Sequence, residues 1–200
     1  MRQVVRTLKK EHAGLDRRDL IELVAQLWSQ PVFEPRMMAV LLLEAFEPLL
    51  RPADMKLLER LIRESKTWAF VELAIAIVGP LVERSSAPLR VLDRWAMDDD
   101  FWLRRCAMLA LLRPLRRGDG DFARFARYAE AMLDEREFFI RKAIGWVLRE
   151  TAKKRPELVY QWLLPRGALA SGVTVREAVK YLSTRQRADI LEAYGSARRR

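Results

Sequence analysis

A single cysteine, Cys106, and a single histidine, His12, stand in a chain of 200 residues. One cysteine excludes an internal disulfide and any multi-cysteine metal site, and such usage suits a reducing compartment. His12 has no partner ligand, and no glycine-rich phosphate loop is present, so neither a metal nor an organic cofactor is indicated. Long hydrophobic runs are missing too. The start, MRQVVRTLKKEHAGL, lacks the apolar centre of a secretory signal. WAFVELAIAIVGPLV is interrupted by Glu72 and is too short to span a bilayer comfortably. No segment alternates with period two over the length of a strand. These absences lead to an expectation of an all-α, cytoplasmic protein without membrane association.

What is abundant is apolar surface and positive charge. Half of the residues are hydrophobic, enough for a sizeable core in one domain or one compact array. Lys and Arg number 37 against 27 Asp and Glu, giving a net charge of +10 and an isoelectric point near 10.2. That balance favours an anionic partner: nucleic acid first, with an acidic membrane or acidic protein behind it. A soluble surface that merely happens to be basic is the plainer alternative.

Prolines fall near the ends of periodic segments, where they start or stop helices. DRRDLIELVAQLW, ADMKLLERLIRES and DFARFARYAEAML each carry apolar residues at helical spacing. The segments also repeat. FWLRRCAMLALL (101–112) and FFIRKAIGWVLR (138–149) match at an offset of 37, pairing Leu103 with Ile140, Arg104 with Arg141 and Arg105 with Lys142. VREAVKYL (175–182) continues the series after 35 more residues, and PRMMAVLLLEAF (35–46) is a weaker earlier copy. The period predicts an α-solenoid of HEAT-like helical repeats over residues 1–200, curved with a basic concave face and ending in a short disordered basic tail near 195–200.

In EFFIRKAIGWVLRE (137–150), Ile140, Ile144, Val147 and Leu148 form the buried stripe. Trp146 lies about 120° from Ile140, at the rim of the core, facing the same general way as Lys142 and Arg149. Gly145 costs roughly 1 kcal/mol inside a helix relative to Ala, which close approach of another backbone or of a ligand would explain. One repeat earlier Arg105 follows Trp102 by one helical step, with Asp98, Asp99 and Asp100 in front as helix caps. One repeat before that, SKTWAFVELAIAIVG reads as a helix with Trp68 and Glu72 on one face. A carboxylate in so apolar a helix needs a partner or a task; a rim glutamate that reaches solvent or an arginine is the alternative.

WAFVE (68–72), DDDFWLRRCA (98–107), EFFIRKAIGWVLRE, KKRPELV (153–159) and REAVKYL (176–182) together resemble the AlkD-like alkylpurine DNA glycosylases, from about residue 17 to 183. The resemblance implies double-stranded DNA with alkylated bases as partner, and a monofunctional, hydrolytic reaction at the N-glycosidic bond of N3- or N7-alkylated purines. It implies catalytic roles for Trp68, Glu72 and Trp146, with Glu72 standing where the family has aspartate. It also implies a DNA-backbone contact for Arg105. Arg104, Arg141, Lys142 and Arg149 are the further cations expected to hold phosphates. Two alternatives stay open: a noncatalytic DNA-binding member of the same fold, and a HEAT-like scaffold for an acidic protein. Monomer is the default for such arrays.

Overall fold

The computed structural model describes residues 1–12, 14–70 and 73–196, and every regular element among them is helical, with no strand. The α-helices are α1 (Arg2–Glu11), α2 (Arg17–Trp28), α3 (Phe33–Ala45), α4 (Met55–Ser65), α5 (Gly79–Arg84), α6 (Ala87–Trp95) and α7 (Phe101–Ala110). After them come α8 (Leu112–Arg117), α9 (Phe122–Ala131), α10 (Phe138–Ala152), α11 (Pro156–Leu163), α12 (Gly172–Ala178) and α13 (Thr184–Ser196). Local sequence explains many of the helix starts. Asp16, Asp100, Asp121, Glu137 and Ser171 each accept a hydrogen bond from a backbone N–H in the first turn of the helix they precede. Pro80 and Pro156 sit in the first turns of α5 and α11, where the missing N–H costs nothing. Gly118 ends α8 at φ 99°, the left-handed conformation that glycine adopts without strain.

Packing divides the chain into two compact units, Met1–Val91 and a second beginning at Leu92. In the first, α3 is the central element: α1 and α2 pack on it, and Ala39–Leu43 are buried on every side of the helix. In the second, α10 is central, lying against α7, α8, α11 and α12. The helices that matched at offsets of 37 and 35 are therefore spatial neighbours, with α7 and α12 both packed on α10.

Gly145 lies where α12 crosses α10. A methyl group on it would stand 2.9 Å from Cβ of Glu177 and 3.1 Å from both Cα and the carbonyl oxygen of Thr174. The neighbouring helix, not a ligand, is what passes there. Thr174 completes the contact by donating its hydroxyl to the Arg141 carbonyl at 3.0 Å.

Polar contacts join residues about one repeat apart. Arg17 with Asp54, Arg84 with Glu47 and Trp28 with Glu64 do so in the first unit. Arg104 with Glu135, Arg124 with Asp93, Arg149 with Glu177 and Arg166 with Glu130 do so in the second. Their separations run from 28 to 37 residues. Each exposed pair contributes little by itself. Their common spacing fixes the register of one helical unit on the next.

Cys106 is 3 % exposed in the core of α7, and burial pushes its thiol pKa up to about 12. A thiol so protected holds almost no thiolate at neutral pH. A colourless disulfide reagent that releases a chromophore should therefore label none of the native protein at pH 8, and one equivalent per chain after denaturation.

Candidate nucleic-acid interface

Helix α10 is buried nearly all round, and its few solvent-reaching side chains are chemically distinctive. From Phe138 to Ala152 only Phe138, Phe139, Arg141, Lys142, Trp146 and Arg149 are not buried. At 3.6 residues per turn all of them but Arg141 fall within roughly 100° of one another. The helix thus offers one strip of three aromatic rings and two cations. The helix α7 repeats the arrangement: only Phe101, Arg104 and Arg105 reach solvent along it.

The two strips are tied together by their rings. Trp102 lies 4.5 Å from Phe101 and 5.1 Å from Phe139, centroid to centroid, and Phe139 in turn lies 5.4 Å from Phe138. Arg105 is held over both Trp102 and Phe139, 5.9 Å from each ring. Lys142, its equivalent one repeat on, lies 5.6 Å above Phe138. The attraction between a cation and the negative face of a ring orders both side chains without neutralising them. Neither has a carboxylate partner among the described residues. Burial lowers the pKa of Arg105, and its Nε is buried without a hydrogen-bond partner. A guanidinium remains charged under that shift.

The remaining cations expected at this surface are engaged inside the protein. Arg104 makes a double hydrogen bond to Glu135 at 3.1 and 2.8 Å, and also donates to the carbonyls of Asp98 and Asp99. Arg141 donates through Nε to the Glu135 carbonyl at 2.6 Å. Arg149 pairs with Glu177 and, at 3.2 Å, with Glu150. Glu150 is a shared anchor, 4 % exposed, that also holds Arg116 at 3.0 Å and Lys153 at 2.9 Å. Burial opposes its ionisation, but the hydrogen bond from Lys153 and the charge of Arg116 outweigh it and hold the pKa below the ordinary glutamate value. Glu177 is depressed in the same way, burial being outweighed by the hydrogen bond from Lys180 and the charge of Arg149. Glu135 and Glu177 lie 31 and 28 residues from Arg104 and Arg149, beyond the reach of local spacing rules, so sequence patterns do not reveal those two pairings.

Trp146 is half-buried on the α10 strip, one turn from Lys142, with no ring or cation stacked on it among the described residues. Trp68, in the other unit, is 61 % exposed. Its surroundings correct the continuous helix expected for SKTWAFVELAIAIVG. Trp68–Phe70 is a single 3-10 turn, and Leu73–Val78 is a wider π turn that leads into α5. The reason is packing: Phe70 is pulled inward to stack on Phe33 at 5.5 Å and against Trp28 at 5.6 Å, while Leu73, Ala74, Ile77 and Val78 are all buried. Trp68 itself is therefore placed by a 3-10 turn and not by an α-helical one. Glu72 itself lies outside the described residues, as do the last four residues of the expected basic tail.

Asp98, Asp99 and Asp100 behave as a cap: Asp100 accepts from the Trp102 N–H at 2.9 Å, and Asp98 from the Asp100 N–H at 2.9 Å. His12 is exposed at the end of α1. Among the described residues no group of three or more His, Cys, Asp or Glu is placed to hold a metal ion, and no helix is long and apolar enough to cross a membrane.

Residues 1–182 match the family profile described as "DNA alkylation repair enzyme". No curated protein sequence matches the chain. Among solved structures, a predicted DNA alkylation repair enzyme from Enterococcus faecalis superposes with a TM-score of 0.80 at 22 % identity, covering 92 % of this chain and 85 % of its own. AlkD2 from Streptococcus mutans gives 0.68 at 20 % identity, covering 92 % and 89 %. The smu.31 protein from Streptococcus mutans UA159 gives 0.66 at 20 % identity, covering 91 % and 99 %. At these identities the structures speak for a shared helical-repeat fold.

Proposed function

The chain belongs to the DNA alkylation repair enzyme family, and on that premise we propose that it hydrolyses the N-glycosidic bond of N3- or N7-alkylated purines in double-stranded DNA. The observation that carries the DNA side of this reading is the α7–α10 strip, where Arg105 and Lys142 stay charged, ordered and without carboxylate partners among the described residues, beside rings that reach solvent. Such cations suit backbone phosphates and fix position without reading bases. Arg149 is a weaker donor in this role because Glu177 and Glu150 already share its charge.

The chemistry follows from the substrate. An alkylated purine is cationic, so it leaves readily and accepts the bonding electrons of the broken C1′–N bond without prior protonation. The demand falls on the sugar, which becomes oxocarbenium-like as that bond lengthens. The proposed Glu72 carboxylate stabilises that charge and aligns the attacking water, which adds to C1′ and releases a proton. Trp68 and Trp146 offer ring faces whose quadrupole favours a cation. The direct test is release of base from a duplex carrying 7-methylguanine or 3-methyladenine. Release by the wild-type protein is the expected result.

One observation favours a second reading, a noncatalytic DNA-binding member. The segment around Trp68 leaves the α-helical path, and a π turn amounts to one residue inserted into a helix, with buried Leu73 as its first residue. Tight, salt-sensitive duplex binding with no base released would establish that reading instead. Both readings share a further expectation. Replacing Arg105 and Lys142 together by Gln should lower the log–log salt slope of duplex binding by about two units, close to one for each phosphate no longer neutralised. An unchanged slope would move the interface elsewhere.

A further inference from the structure

We propose that a second, separate site binds a phosphate group in the pocket formed by α10, α12 and α13, held by Arg141 and Arg176. The cavity measures about 280 Å³, just below the range usual for drug-sized ligands and so of a size for a small group. Arg141 and Arg176 both line it, and they occupy equivalent positions in successive repeats. Around α10, Arg141 lies about 100° from Lys142, so this pocket is not part of the aromatic strip.

Three features of the pocket point to an anion. First, Arg176 makes no hydrogen bond or ion pair with any described residue, and Arg141 spends only its Nε, on a backbone carbonyl. Two guanidinium charges therefore face one cavity whose only lining carboxylate among the described residues is exposed Asp134. Second, the Arg176 guanidinium is turned towards the pocket floor: a methyl group built on Gly172, which lines the pocket, would lie 2.9 Å from an Arg176 terminal nitrogen. Third, two planar guanidinium forks match the several acceptor oxygens of a phosphate better than they would a single carboxylate.

The phosphate could belong to a DNA backbone or to a free phosphate or phosphomonoester, and the experiment separates these. Inorganic phosphate is titrated calorimetrically into the full chain at constant ionic strength, for wild type, Arg176→Gln and Gly172→Ala. Gly172→Ala keeps both arginines and puts a methyl group against the Arg176 tip, so it distinguishes a pocket from general surface charge. Circular dichroism checks that each variant stays helical. Saturable binding by wild type, weakened about tenfold in both variants, supports the site for free phosphate or a monoester. No saturable phosphate binding, but a DNA salt slope about one unit lower in Arg176→Gln and weaker duplex binding by Gly172→Ala, supports a backbone phosphate. Weakening by Arg176→Gln alone overturns the pocket, as does the absence of any effect in either assay. The phosphate arm contains no DNA, so its outcome is independent of whether the protein excises bases.

Discussion

Glu72→Gln is expected to lower release of 7-methylguanine from duplex DNA by roughly 10²–10³-fold, the range seen when one electrostatic stabiliser is removed from a site of developing charge. The substitution keeps the size of the side chain but exchanges a charged carboxylate that only accepts hydrogen bonds for a neutral amide that also donates them. An oxocarbenium-like sugar would lose its counter-charge and the attacking water its acceptor, whereas phosphates would meet the same cations as before. Duplex affinity should therefore stay within about twofold of wild type, and the loss should fall on single-turnover rate. Trp68→Ala is the companion measurement, because it removes an exposed ring and leaves the carboxylate. If Glu72→Gln excises as fast as wild type, another group supplies the charge and the assignment of Glu72 is wrong.

Gly145→Leu should be the most damaging single change to the fold at a position that carries no functional group. The nearest obstacles to its Cβ are Cα and the carbonyl oxygen of Thr174 and Cβ of Glu177, none of which is a mobile side-chain tip. Helix α12 would have to move off α10, opening the Thr174–Arg141 hydrogen bond and the Arg149–Glu177 pair. Overpacking of this kind costs about 3 kcal/mol, which exceeds the helix-propensity gain of about 1 kcal/mol from replacing glycine. For a chain of this size the net loss of about 2 kcal/mol corresponds to a fall of about 4–8 °C in Tm by calorimetry. Gly14→Ala is the control, since no atom lies within 4 Å of its added methyl group, and it should leave Tm unchanged. An equal Tm for Gly145→Leu and wild type would contradict the close crossing of α10 and α12.

Much of this architecture is legible in the sequence because the repeat is legible. Offsets of 37 and 35 place α7, α10 and α12 in one series, and these helices do pack side by side. Asp100 is recognisable as a cap because capping is a local interaction. Two things are not legible. The helix expected across Trp68 fails because apolar spacing alone cannot distinguish an α path from a 3-10 turn followed by a π turn; the demand that Phe70 fill the space between Phe33 and Trp28 decides it. The engagement of Arg104 and Arg149 is hidden because Glu135 and Glu177 lie 31 and 28 residues away, and only the folded repeats bring them together. In sequence, Arg105 and Lys142 look like the paired basic residues around them. What sets them apart is the ring beneath each.

That ring beneath Arg105 has an entropic consequence. A free arginine side chain carries about 2 kcal/mol of rotamer freedom, which it surrenders when an anion fixes it in place. Held over Trp102 and Phe139, Arg105 has given up much of that freedom on folding, before any ligand arrives. An anion meeting it forfeits correspondingly less binding free energy to ordering. The same restraint makes the contact unforgiving, because a stacked guanidinium cannot swing to follow a displaced phosphate. A flexible polyanion can bring its phosphate to that point, whereas a stiff one must already present it there. Arg105 is in this sense a gauge of contour rather than a source of general attraction.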